Sequence, residues 1–206
     1  MRNFLRCLCY YKTMLLKHFL KDNPLGIPWM RNKALAKIFV CATVVLASQF
    51  IGMEVCGMEA LKLSSPAFQH NQMIPSKHTC DGADVNPPLV IENVPPEAKS
   101  LALIMEDPDS PAGTWVHWVV WNIDPKTHEI RENSAPSGAM QGINDFRKHN
   151  YGGPCPPSGT HRYFFKLYAL DVTLTLGQNT AKAALERAMK GHVVVQSQLI
   201  GLYKRK

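Results

Sequence analysis

From Leu61 onward, short apolar runs alternate with clusters of Pro, Gly, Asn and Asp, the punctuation of a β-rich domain. Residues 101–105 (LALIM), 116–123 (VHWVVWNI) and 163–170 (YFFKLYAL) are rich in β-branched and aromatic side chains and too short for ordinary helices, so they predict strands. Between them SSPAF, DGADVNPP, NVPPEAK, EDPDSPAG, NSAPSG and YGGPCPPSG predict loops, because proline cannot continue a ladder and glycine permits positive φ. One helix is expected near the C-terminal end. Thr180 would cap it, Ala184, Leu185, Ala188 and Met189 would share its buried face, and Gly191 would stop it. A last strand is expected over roughly 193–203. There is no internal repeat. The pattern implies a mainly β fold, a two-sheet antiparallel Greek-key sandwich with one or two peripheral helices.

Strand alternation assigns faces. In VHWVVWNI it puts Trp115, His117, Val119 and Trp121 on one side and Val116, Trp118 and Val120 on the other. In HRYFFKLYAL it puts His161, Tyr163, Phe165 and Leu167 together, opposite Arg162, Phe164 and Lys166. A histidine on an apolar strand face is ordinarily a hydrogen-bonded core residue, and Asp-Pro-Asp is ordinarily a turn with solvated carboxylates. Here the two features meet. Asp107 to Pro111 (DPDSP) leads into the His117 strand, and residues 151–159 (YGGPCPPSG) lead into the His161 strand. Prolines stiffen both loops, and the glycines would let backbone N–H groups approach a ligand oxygen. Two rigid loops, each feeding a strand with an early histidine, read as the lip of a binding site.

The 206-residue chain carries 23 Lys and Arg against 16 Asp and Glu, a net charge of +7, which raises the question of nucleic acid. Residues 1–60 hold eight of the bases (Arg2, Arg6, Lys12, Lys17, Lys21, Arg31, Lys33, Lys37) and three acids (Asp22, Glu54, Glu59), so the body is near neutral. No segment interleaves aromatic and basic residues, and nucleic-acid binding is set aside. Arg31, Lys33 and Lys37 precede an apolar stretch from Ile38 to Phe50 that ends in small residues, the layout of an export signal; the competing reading is a buried core helix. Met30 opens a more ordinary signal than Met1, so residues 1–29 read either as an upstream extension or as the result of a misplaced start codon. The chain thus divides into residues 1–57, a basic extension with a signal or anchor, and 58–206, a binding domain. Only Cys80 and Cys155 remain in the body, and for an exported protein they are expected to form a disulfide tying the CDG loop to the GGPCPP loop.

These segments taken together, LKLSSPAF, CDGADVNPPL, LALIMEDPDSPAGTWVHWVVWNI, YGGPCPPSGTHRYFFKLYALD, AMKGH and LIGLY, resemble the phosphatidylethanolamine-binding protein family, in its bacterial Raf-kinase-inhibitor-like branch. The resemblance covers essentially the whole body. It implies a β-sandwich with peripheral helices and a small anion site lined by Asp107, Asp109, His117, Gly153, Pro154, His161 and Tyr163. Asn86, where the family usually has Ser, and Ile91, where an aromatic is common, depart from the pattern.

The chemistry expected of these residues is recognition of a phosphate-bearing or other anionic head group without turnover and without a cofactor. Asp107 would accept a hydrogen bond from an imidazole and favour its charged form, Tyr163 and loop N–H groups would add neutral donors, and a carboxylate edge would meet an ammonium. Competing readings are an inhibitor that docks on a kinase or protease through the rim, a metal site made from the two histidines and two aspartates, and a hydrolase using Ser110 or Ser158. The last two lack a tight metal-ligand spacing and a Gly-x-Ser-x-Gly context. Location outside the cytoplasm, periplasmic or secreted, is expected, and membrane association through the leader is an open reading.

Overall fold

Pairing between distant apolar runs builds two sheets. The computed structural model describes residues 59–205; the expected export segment lies outside them. The strands are β1 (Lys62–Ser64), β2 (Gln72–Met73), β3 (Leu89–Glu92), β4 (Ser100–Asp107), β5 (Trp115–Ile123), β6 (Glu129–Ile130), β7 (Met140–Gln141), β8 (His161–Leu170) and β9 (Val193–Tyr203), with α1 (Lys182–Met189) before the last. The small sheet runs β1-β3-β6 and the large one β2-β9-β8-β4-β5-β7. All pairings are antiparallel except β2 with β9, which is parallel, a departure from the purely antiparallel expectation. Residues 101–105 and 163–170 lie within slightly longer strands.

Alternation along β4 and β8 sends side chains to two apolar layers. Leu63, Leu89, Ile91 and Ile130 of the small sheet pack against Leu101, Leu103, Met105, Trp118, Tyr163, Phe165 and Leu167 of the large one, which makes the sandwich. Burying one such side chain stabilises the fold by about 2 kcal/mol. On the other face of the large sheet, Ala102, Ile104, Val116, Val119 and Trp121 are covered by Leu185 and Met189 of α1 and by Leu174. Both anchors of α1 lie on the face expected from its spacing.

Thr180, however, does not cap α1. The N-cap is Ala181, without a side-chain hydrogen bond, and the Thr180 hydroxyl turns back to Gly177 O at 2.6 Å. That carbonyl also takes the Thr180 N–H, so the hydroxyl closes the preceding turn. Gly191 follows the helix with φ +85, the left-handed value that suits glycine at a helix end. The helix is held down by charge as well, since Lys166 and Lys182 both pair with the buried Glu106 carboxylate, the former at 2.6 Å. Burial raises the pKa of Glu106, but the two lysines outweigh it and keep the group below its ordinary range. The unusual Asn86 is also buried, and its amide joins Pro87 O, Arg131 O and Ser134 N.

One strand expectation fails in a way that shapes the site. Met105 pairs with Trp118 and Glu106 with Val116, so His117 is an extra residue in β5, a β-bulge. Beyond a bulge the side-chain parity inverts. Val119 and Trp121 therefore join the layer beneath α1, while Trp118 and Val120 face the sandwich core. His117 lies against Tyr163 of that core side and does not share a wall with Val119.

Candidate functional site

The ends of β4, β5 and β8 converge where two loops cross them. Asp107 closes β4, and its Oδ2 lies 2.7 Å from His161 Nδ1 at the start of β8. Both groups are buried. The other Asp107 oxygen accepts the Asp109 N–H at 2.8 Å, which fixes the DPDSP loop and aims the carboxylate at the imidazole. An imidazole that gives Nδ1–H to a carboxylate keeps Nε2 for other partners.

His117 is held differently. Its Nδ1 is 2.7 Å from Gly152 O, which can only accept, so Nδ1 carries the proton. Gly152 N–H in turn donates to His117 O at 3.1 Å, locking loop and bulge together. Burial pushes the His117 pKa below the usual histidine range. At neutral pH the ring is therefore uncharged, with Nε2 as an acceptor, and the imidazole that Asp107 orients is that of His161.

Tyr163 stands edge-on to His117, with ring centroids 5.2 Å apart, and is 0 % exposed. Among the described residues its hydroxyl has no hydrogen-bond partner of acceptable geometry, although the Asp107 carboxylate and the Cys155 N–H lie near it. Burial, then the Asp107 charge, raise its pKa far above the phenol range, so it stays a donor. An unmet buried hydroxyl costs about 1–3 kcal/mol, so such groups are rare outside functional sites. The Trp121 indole N–H is also unpaired, but it lies in the apolar layer beneath α1.

Asp109 and Gly153 are placed at the site and committed elsewhere. Asp109 accepts two side-chain bonds from Arg162, at 2.9 and 2.7 Å, and the Arg162 backbone N–H at 2.9 Å. These bonds hold the Asp109 carboxyl at a pKa of about 2. Its oxygens are thus spent on a surface clasp between the DPDSP loop and β8. Gly153 N–H donates to Asp84 Oδ1 at 2.6 Å, and a Cβ there would stand 2.7 Å from His78 O. Close packing of two loops, not ligand approach, explains this glycine. The same pair of loops is joined by Cys80 N–H to Pro154 O at 3.1 Å, by Tyr151 O–H to His78 O at 2.8 Å, and by the expected disulfide. Cys80 and Cys155 are bonded, with Cα atoms 5.4 Å apart across 75 residues.

Two residues at the site escaped the sequence reading. Phe146 lies edge-on to both Trp115 and His117, at 5.5 and 5.3 Å. It is a lone aromatic in a polar loop, and only tertiary structure returns that loop to β5. Arg162 was placed on the outer face of β8, correctly, but its pairing with Asp109 carries no local signal. Concavities elsewhere, one of about 130 Å³ along Asp84, Asn86, Trp118 and Tyr151 and a wider cleft of about 630 Å³ along 124–137, are lined by none of Asp107, Asp109, His117, His161 and Tyr163. Among the described residues, no three His, Cys, Asp or Glu side chains are grouped to hold a metal ion.

Residues 64–204 match the family model described as phosphatidylethanolamine-binding protein. The chain belongs to the phosphatidylethanolamine-binding protein family. It is 49% identical over 150 residues to a UPF0098 protein of Methanothermobacter thermautotrophicus, covering 70% of this chain and 99% of that one. It is 44% identical over 191 residues to a UPF0098 protein of Pyrococcus horikoshii, covering 88% and 94%. Among solved structures it resembles the phosphatidylethanolamine-binding protein homologue CT736 of Chlamydia trachomatis, with a TM-score of 0.69, 41% identity and coverage of 71% and 99%. It also resembles YbcL of E. coli, a member of the same family, with a TM-score of 0.68, 27% identity and coverage of 72% and 100%. In this phosphatidylethanolamine-binding fold the strand ends that carry Asp107, His117, His161 and Tyr163 are brought together by β4, β5 and β8, adjacent strands of one sheet.

Proposed function

We propose that this domain binds a phosphate-bearing head group, free or on a lipid, at Asp107, His117, His161 and Tyr163, and does not turn it over. The observation that carries the reading is the Tyr163 hydroxyl, a buried donor that has no well-aligned partner among the described residues and lies beside an Asp–His pair and a second histidine. An anionic oxygen would satisfy that hydroxyl, and His161 Nε2–H would supply a second, charge-assisted bond once the ring is protonated. Asp107 orients the His161 ring and offsets that positive charge. His117, neutral in the free protein, would accept the proton of a monoprotonated phosphate or take up a proton with a dianion. No nucleophile is held against either imidazole by the hydrogen bonds described, which favours binding over hydrolysis.

Location outside the cytoplasm belongs to the same proposal. It is supported by the basic-then-apolar segment 31–50 and by the Cys80–Cys155 bond, a feature of oxidising compartments. N-terminal sequencing of the native protein tests it, and an intact leader on a cytosolic protein would refute it.

Calorimetric titration of phosphoethanolamine into the wild type and His161→Ala, beside a phosphate-release assay, tests the function. Saturable binding by the wild type, weakened about tenfold or more by the substitution, is expected for loss of a charge-assisted bond. Equal affinities would remove His161 from the site, absence of wild-type binding would end the head-group reading, and phosphate release would make the protein an enzyme.

A further inference from the structure

Residues 151–154 are fastened to the site and to the CDG loop by hydrogen bonds: Gly152 O takes the His117 Nδ1–H, Gly153 N–H reaches Asp84, Tyr151 O–H reaches His78 O, and Pro154 O takes the Cys80 N–H. The chain beyond them is held differently. From Cys155 to Thr160 no hydrogen bond of good geometry joins the segment to another of the described residues, and proline at 156 and 157 removes two donors that could make one. Pro156 is buried, whereas Pro157, Ser158, Gly159 and Thr160 are exposed. What fastens this segment is the Cys80–Cys155 bond. Its far end is firm. Cys80 stands between Thr79, whose N–H and hydroxyl both donate to Ser76 O, and Asp81, whose carboxylate accepts Tyr203 O–H at 2.8 Å and Arg205 Nε–H at 3.1 Å. The segment borders the site at both ends, since the Cys155 N–H lies near the Tyr163 hydroxyl and Thr160 leads directly into His161. Both cysteines are exposed, within reach of a reductant.

Resting on the head-group reading above, we propose that the Cys80–Cys155 bond is a redox switch on the anion site: formed, it holds segment 155–160 in place beside Tyr163 and His161, and its reduction by a dithiol releases the segment and weakens anion binding. A thiolate of the dithiol attacks one sulfur, and the S–S bond breaks to give a mixed disulfide and a cysteine thiolate. The second thiol of the reductant then closes its own disulfide, so that two electrons and two protons pass to Cys80 and Cys155, which end as thiols. The reduced protein keeps the hydrogen bonds of residues 151–154, so the His117 ring stays held and the fold survives. It loses the preset position of the wall. A bound anion must then order six residues whose freedom the disulfide had already removed, and that cost is taken from its affinity.

Calorimetric titration of phosphoethanolamine into the oxidised protein, into protein reduced with dithiothreitol and into the same protein reoxidised tests the switch, with thiol alkylation and intact mass fixing the redox state of each sample. The reduced form should bind about tenfold more weakly and recover on reoxidation. Cys80→Ser/Cys155→Ser should bind like the reduced form and ignore dithiothreitol. By linkage, saturating phosphoethanolamine should shift the thiol–disulfide equilibrium of the two cysteines in a dithiothreitol redox buffer toward the disulfide by the same factor, about 30 mV for tenfold. Equal affinities of the oxidised and reduced forms, or an equilibrium that the ligand does not move, would overturn the switch and leave the anion site standing. Failure of both forms to bind would sink the head-group reading itself, and the switch with it. Circular dichroism at the titration temperature separates release of a loop from collapse of the fold. A reduced protein and a double variant that have both lost their sheet signal would refute the switch, because the bond would then serve the sandwich as a whole.

Discussion

Tyr163 and His117 are buried neighbours whose polar atoms obey opposite logic. Among the described residues the Tyr163 hydroxyl has no hydrogen-bond partner of good geometry, so the free protein carries much of the cost of its desolvation; removing it should not hurt the fold. Tyr163→Phe is expected to leave unfolding stability unchanged or raise it by about 1 kcal/mol, and to weaken phosphoethanolamine binding by about a decade. Denaturant titration beside calorimetry checks both halves. A core tyrosine with no ligand role would leave affinity unchanged. His117, by contrast, is fully used at Nδ1 and is kept neutral by burial, its pKa below the ordinary histidine value near 6.5. The unfolded chain therefore binds a proton that the folded chain refuses. Above about pH 6.5 this group contributes its full stability, and as pH falls below that value toward the lowered folded pKa the contribution is lost. Melts between pH 5.5 and 7.5 should show stability declining on the acid side, and His117→Gln should flatten that dependence.

At the scale of elements, periodicity told most of the story and missed where tertiary structure breaks it. The apolar runs at 101–105, 116–123 and 163–170 became β4, β5 and β8, and alternation in β8 was right throughout, because that strand pairs with β4 in unbroken register. In β5 it failed at His117, and the register slips again between Val120 and Ile123, which returns Ile123 to the sandwich core. The bulge at His117 is set by what pairs with β5 and by the hydrogen bonds that Gly152 and Asn144 make to His117, none of which leaves a mark in VHWVVWNI itself. The DPDSP and YGGPCPP loops were legible as site walls because proline and glycine advertise rigidity, whereas Phe146 was not, since its importance comes only from the loop's return to β5. Asn144 is the residue that returns it. Asn144→Ala would leave His117 O, Asn150 O and the Lys148 N–H each short of a bond, at a cost of about 2–4 kcal/mol if each is worth roughly 1. Hydrogen exchange should then quicken across 142–151 while the β8–β9 ladder stays protected. Uniform acceleration over the whole domain would mean that the loop has no independent stability.

Across the whole molecule, the site depends on two loops that are far apart in sequence and share no strand pairing. The CDG loop and the GGPCPP loop meet through Cys80 N–H to Pro154 O, Tyr151 O–H to His78 O, Gly153 N–H to Asp84, and the disulfide. The hydrogen bonds can re-form with water when the chain unfolds, so their net worth is small; the covalent link still constrains the unfolded chain over 75 residues. In the loop-entropy picture such a link stabilises the fold by about 4 kcal/mol. For a domain of this size that corresponds to a melting temperature lowered by about 10 °C when the bond is reduced. Both cysteines are exposed, so a dithiol can reach the bond without unfolding the domain. Melts with and without dithiothreitol, beside Cys80→Ser/Cys155→Ser, should give the same lowered value, because the reduced protein and the double variant lack the same link. The sandwich core does not involve either cysteine, so both should still fold cooperatively and keep the same sheet content by circular dichroism. A drop of under 2 °C would mean that the hydrogen bonds alone already fix the two loops. A double variant that never folds would mean that the link is needed to assemble the sandwich and does more than lower the entropy of the unfolded chain.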